Sequence, residues 1–151
     1  MRGFIERLLA VDNKFEVSRI RTMFRLLLGA AVTLAGVGHL LWSRSEFLAQ
    51  VPEWVPVDAD LVVVVSGIVE IGIGAALLLA GRYRVIVGLV AAAFFVAVFP
   101  GNIAQLVEGT DAFGLDSDTA RAVRLAFQPV LVGWALWSTG AWRALRDYSH
   151  P

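Results

Sequence analysis

Long apolar runs separated by short polar stretches dominate the chain: Thr22 to Trp42, Leu61 to Ala80, Val85 to Val107 and Ala122 to Trp142. Crossing the hydrocarbon core takes about 20 apolar residues in a helix, so each run is long enough. The pattern predicts an all-α fold, a four-transmembrane-helix bundle with short interfacial helices. The first run follows a charged leader, yet it is longer than the apolar core of a signal peptide and no small-residue cleavage site follows it. It is read as a retained span. In the third run Pro100 has no N–H to donate, so Gly101 and Asn102 are expected in an unwound last turn. No internal repeat or low-complexity linker marks a second domain. The chain therefore divides into an amphipathic amino-terminal segment (1–21), a membrane domain (22–142) and a short tail (143–151).

Two shorter pieces also carry an amphipathic pattern. In "GFIERLLA", Phe4, Ile5, Leu8 and Leu9 share a helical face opposite Arg2, Glu6 and Arg7, as in a helix lying in the membrane interface. In "SEFLAQVPEWVP", Phe47, Leu48, Val51 and Trp54 lie between proline-limited turns, which suggests a re-entrant or surface-lying segment.

Charge adds an orientation. Basic residues gather before the first span (Arg2, Arg7, Lys14, Arg19, Arg21, Arg25), between the second and third (Arg82, Arg84) and after the fourth (Arg143, Arg146). The other two loops are acidic, with Glu46, Glu53, Asp58 and Asp60 in one and Glu108, Asp111, Asp116 and Asp118 in the other. The excess of Lys and Arg on one side predicts a multi-pass plasma (inner) membrane protein with both termini cytoplasmic. Trp42, Trp54 and Trp142 then fall near span ends, as an aromatic belt requires. Trp134 and Trp137 read as packing residues.

Composition supports a membrane protein and removes several chemistries. Of 151 residues, 58% are hydrophobic and 17% charged, and the mean hydropathy is +0.70, well outside the soluble range. With no cysteine, the chain can form no disulfide and hold no thiolate-ligated cluster. No metal-ligand pattern, flavin or dinucleotide fingerprint or nucleic-acid footprint is visible.

The chemistry-bearing positions lie inside the apolar runs. Glu70 is nine residues into the second, roughly 13 Å deep at about 1.5 Å per residue. A carboxylate at that depth costs on the order of 3 kcal/mol, so it must face protein or water. Ser66, Gly67, Glu70 and Gly74 form one helical stripe whose small members admit a close neighbour. From the same pole, the first span offers His39 on a face with Gly36, the third Asn102 and Gln105, and the fourth Arg121, Arg124 and Gln128 on one inward face. A convergent set of this kind describes a lined pocket rather than scattered helix glue. The expected network has Glu70 touching His39 or Gln128, with Arg124 above them. Each residue also has a plainer role: Glu70 as a structural hydrogen-bonding group, His39 as an interfacial histidine, Arg124 as a topology-setting cation, and Asn102 as a cap on the broken helix.

The segments "GVGHLLWSRSEFLAQVPEWVP", "VSGIVEIGIGAALLL", "VFPGNIAQ" and "RLAFQPVLVGWALW" together resemble the DoxX-like family of small four-span membrane proteins. The resemblance runs from Gly36 to Trp137 and is carried by the order of His39, Pro52, Gly67, Glu70, Pro100, Asn102, Arg124, Gln128 and Pro129. It implies a four-helix membrane bundle linked to quinone-coupled sulfur oxidation and to complexes handling thiol and oxidative stress. Two functions remain open. In one, His39, Asn102, Arg124 and Gln128 donate hydrogen bonds to a quinone or other lipophilic ligand and Glu70 relays protons, making the chain an accessory subunit beside a redox enzyme or a second copy of itself. In the other, it is a non-enzymatic membrane organiser or lipid-binding protein with a structural polar cluster. Neither reading decides whether a reaction is catalysed.

Overall fold

The computed structural model describes residues 17–149, together with Gly3, Ile5, Glu6, Arg7 and Ala10. Those five are helical and exposed; Phe4, Leu8 and Leu9, on which the amphipathic reading of the leader depends, lie outside the described residues, as does His150.

The regular structure among the described residues is entirely helical: α1 (Arg19–Leu40), α2 (Arg44–Leu48), α3 (Ala59–Leu79), a single 3₁₀ turn (Gly81–Tyr83), α4 (Arg84–Ala97), α5 (Phe99–Glu108), α6 (Asp118–Thr139) and α7 (Ala141–Ser149). Local chemistry sets the ends. The Asp58 carboxylate accepts from the Leu61 amide to open α3 and the Ser117 hydroxyl accepts from the Ala120 amide to open α6, each satisfying an otherwise orphaned N–H. Gly109 (φ 65°) and Gly140 (φ 81°) close α5 and α6 in the left-handed conformation that glycine adopts without a Cβ penalty.

Among the described residues, three helical stretches are long and apolar enough to cross a membrane: Arg19–Leu40, Ala59–Leu79 and Gly81–Glu108. Helix α6 matches α1 in its 22-residue length but carries Arg121, Arg124, Gln128, Ser138 and Thr139 and falls short of their apolarity. Large apolar side chains on the flanks are exposed, among them Leu34, Val65, Ile68, Val90 and Val96, the surface that a lipid solvent covers.

The third stretch breaks earlier than its proline suggests. The interruption is at Val98, and Phe99 and Pro100 begin α5, so Gly101 and Asn102 are helical rather than unwound. The reason is positional: in the first turn of a helix the N–H that proline lacks has no intrahelical partner anyway, and its fixed φ suits the start.

Helix α1 packs chiefly on α3, and α4 on α6, while the two pairs meet more sparsely. Backbone proximity makes the first pair tight. A Cβ on Gly36 would lie 2.7 Å from the Gly67 carbonyl oxygen, and one on Gly67 would lie 2.7 Å from His39 Cβ. This is the small-residue packing expected of the Gly67 stripe. At the arginine-rich pole, Arg25 donates to the Leu77 carbonyl in the last turn of α3, satisfying a terminal acceptor with a cation. Beside it, Phe24 meets Trp134 and Trp137 edge-on, and Trp134 Nε1 donates to the Phe24 carbonyl at 2.9 Å. These contacts tie α1 to α6 at that pole.

Candidate functional site

At the opposite pole, the looser join between the helix pairs leaves a cavity of about 780 Å³. Each helix presents one stripe to it: Leu28, Ala31, Val32, Ala35 and His39 from α1; Val62, Val63, Ser66 and Glu70 from α3; Phe94 and Phe95 from α4; Arg124, Phe127, Gln128, Leu131 and Trp134 from α6. The spacing by threes and fours on α1 and α6 is what turns one helical face inward. All five candidates from the sequence, His39, Glu70, Asn102, Arg124 and Gln128, line this one cavity.

His39 and Glu70 form one polar pair in its wall. Nε2 of His39 faces Oε2 of Glu70 at 3.5 Å, with side chains 7% and 14% exposed. His39 Nδ1 lies 3.0 Å from Ser66 Oγ and 3.3 Å from the Val63 carbonyl oxygen, and Ser66 itself donates to that carbonyl at 3.0 Å. With the serine hydrogen engaged, its oxygen accepts, which assigns the hydrogen of a neutral His39 to Nδ1 and turns the Nε2 lone pair toward Glu70. Nε2 and Oε2 have no hydrogen-bond partner among the described residues. Buried polar atoms in that state mark a place where one proton, or a group from outside, completes the bonding.

The amides form a second cluster. Asn102 Nδ2 donates to Gln128 Oε1 at 3.0 Å, and Gln128 Nε2 donates to the Phe95 carbonyl at 2.8 Å. Gln128 is therefore engaged away from Glu70; of the two partners expected for the acid, the structure selects His39. At Pro129 the missing N–H cannot pair with the Leu125 carbonyl, one turn back along the segment that carries Gln128.

Arg124 reaches outward rather than toward the acid. Its Nη2 donates to Gln50 Oε1 at 3.1 Å, Gln50 Nε2 donates to Gln105 Oε1 at 2.9 Å, and Gln105 Nε2 donates to the Thr110 carbonyl at 3.3 Å. Arg121, expected on the same inward face, is buried but leaves the cavity: its guanidinium holds Asp111 and Asp118 at 2.7 Å and the Leu115 carbonyl at 3.0 Å. It anchors the loop before α6.

Over the mouth lies a roof that the span pattern did not resolve. The Phe47 ring packs on His39, Phe113 meets Phe47 edge-on at 4.7 Å, and Arg124 stacks over Phe113 at 5.0 Å. The segment expected to be re-entrant or surface-lying thus folds as α2 and a set of turns over the cavity, with Pro52 buried and Trp54 exposed. Phe113 has φ 56°, a left-handed conformation that costs an aromatic residue on the order of 1–2 kcal/mol. Its amide donates to the Glu46 carboxylate of α2. Arg44, at the start of α2, makes a two-pronged contact with Asp60 at the start of α3. Those hydrogen bonds, and then the Asp60 charge, hold the guanidinium above its ordinary pKa.

Gln50, Phe47 and Phe113 are the site residues that span-by-span reading missed. The apolar set Phe47, Leu48, Val51 and Trp54 between prolines is visible in the sequence, but nothing local signals that the loop from 109 to 117 returns to meet it.

A family model described as a domain of unknown function, DUF8561, matches residues 28–139, an interval that contains the whole cavity pole. No curated protein and no solved structure matches the chain.

Proposed function

The chain belongs to the DUF8561 family, and from that premise we propose that it is a four-span membrane protein whose cavity binds a quinone or similar lipophilic molecule as an accessory subunit of a membrane redox complex. One observation carries the reading: a cavity of about 780 Å³, walled by apolar side chains, gathers His39, Glu70, Asn102, Arg124 and Gln128 at one end. Ligand sites have this make-up, with few polar groups fixing orientation in an apolar enclosure. A quinone asks for donors at its carbonyl oxygens and for protons on reduction. The second hydrogens of the Asn102 and Gln128 amide nitrogens and the remaining N–H groups of Arg124, beyond those already engaged, supply the donors, and the His39–Glu70 pair holds a proton where the oxygens would lie. Electrons come from a partner enzyme. The link to sulfur, thiol or oxidative-stress chemistry rests on the resemblance to DoxX-like proteins.

The fourth span in this reading is α6, whose length suits a crossing and whose Arg124 and Gln128 face the cavity. Both termini are placed in the cytoplasm by the distribution of Lys and Arg. Cysteine reporters near both termini and Arg82 are expected to label from the cytoplasmic side, and those near Asp58 and Asp116 from the outer side. Reversed labelling of a single loop breaks the common pole and the reading with it.

A second reading, an organising or lipid-binding protein, is favoured by the Asn102–Gln128–Phe95 hydrogen bonds, which knit α4, α5 and α6 without any ligand. Mass spectrometry of small molecules retained by protein purified in native-like lipid separates the two. Retained quinone is the expected result; retained phospholipid alone favours the second.

A further inference from the structure

We infer that the ligand is a tailed amphiphile whose head lies against His39 and Glu70 and whose hydrocarbon tail leaves sideways between α1 and α6; this deepens the functional reading and rests on it.

The two ends of the cavity differ in chemistry. Its polar atoms sit toward the roof, and the far end is walled by Leu28, Val32, Phe94, Leu131 and Trp134. A head of hydrogen-bonding groups followed by an apolar chain matches that gradient; a compact polar solute leaves the far end unsatisfied.

The cavity also reaches the surface between α1 and α6, away from its exposed lining at Trp54 and Pro100. Ala31 and Ala35 of α1 and Phe127 of α6 line it and are exposed on the bundle's flank, with Phe127 49% exposed. Below this cleft the helices are tied together by Phe24 against Trp134 and Trp137. Above it the roof is bridged from Arg124 through Gln50 to Gln105. The opening therefore faces the apolar flank, where a bilayer would lie, and alanines keep one lip low. A chain threaded there exchanges lipid contacts for protein contacts while its head stays at the polar end.

Two probes test this on the whole protein in phospholipid nanodiscs: 2,3-dimethoxy-5-methyl-1,4-benzoquinone, without a tail, and its decyl derivative, with binding followed by tryptophan quenching. Substituting both Ala31→Leu and Ala35→Leu raises the lip. A tail displaced from the cleft returns to lipid rather than to water, so the loss is steric: forcing it past two leucines is overpacking, expected to lower decyl-probe affinity by at least about fivefold. Affinity for the tailless probe is expected to stay within about twofold. Because bilayer partitioning is common to both proteins, the ratio isolates the cleft. Both alanines are exposed, so larger apolar side chains have room without entering the core; Phe127→Trp is the independent narrowing variant if the double substitution fails to fold. Equal loss of both probes, or no loss of either, overturns the side exit while leaving the functional reading intact. Failure of both probes to bind the unmodified protein overturns the quinone reading and the inference together.

Discussion

Gly74→Val is expected to prevent α1 from seating on α3 and to abolish a monodisperse folded protein in detergent. A Cβ at Gly74 would fall 2.2 Å from Thr33 Oγ1, 2.6 Å from the Thr33 amide nitrogen and 2.8 Å from the Gly29 carbonyl oxygen. The hydroxyl can rotate; the backbone atoms cannot. Relief requires moving one helix axis away from the other, and overpacking of that kind costs about 1–3 kcal/mol before the lost contacts are counted. The displacement also reaches the site, because Gly36 and Gly67 in the same seam hold His39 against α3. Gly72→Val is the control: on the same helix, its Cβ meets nothing within 4 Å, so thermal stability should change by less than about 0.5 kcal/mol. Thermal unfolding followed by size-exclusion recovery compares the two directly. Equal tolerance of both substitutions would mean that the α1–α3 seam is looser than drawn.

That seam also shows what a linear sequence can disclose. Ser66, Gly67, Glu70 and Gly74 are close enough in sequence for helical periodicity to place them on one face, and a carboxylate on such a face requires a partner from elsewhere. His39 follows from the same reasoning, because its helix runs the opposite way and brings it to the same pole. The roof was legible only in part. Gln50 joins Arg124 and Gln105 across sequence separations of 74 and 55 residues, and no local period encodes contacts between loops. Arg121 and Arg124 illustrate the ambiguity. Three residues apart on one helix, they share a face, yet acids in the preceding loop capture one while the other stacks on Phe113. A proline in an apolar run signals a helix break; the place of Pro100 in the first turn of α5 depends on the break at Val98, and the same residue types permit either arrangement.

Glu70→Leu is expected to impair ligand binding severely, and Glu70→Gln only partly, because the two substitutions remove different things. Leucine leaves Nε2 of His39 facing a hydrocarbon, and a buried acceptor stranded in this way costs about 1–3 kcal/mol. Glutamine can donate its amide to Nε2 and preserve the contact now spanning 3.5 Å. What it cannot do is release a proton. In the His39–Glu70 pair one proton can reside on either partner, giving a neutral acid beside imidazole or a carboxylate beside imidazolium; with glutamine in place of the acid that choice disappears. Quinone binding should therefore survive Glu70→Gln while proton-coupled turnover in the native membrane does not. Restoration of both by glutamine would reduce the acid to a structural hydrogen bond. The pairing itself is read by a double-mutant cycle on binding: Glu70→Leu and His39→Leu together should cost less than the sum of the singles by about 0.5–3 kcal/mol, since each single variant strands the other's buried polar atom. Glu70→Leu with Gln128→Leu should be nearly additive, because Gln128 spends its amide on Asn102 and the Phe95 carbonyl. Coupling to Gln128 in place of His39, in protein that remains folded, would move the carboxylate across the cavity and dissolve the proton-sharing pair.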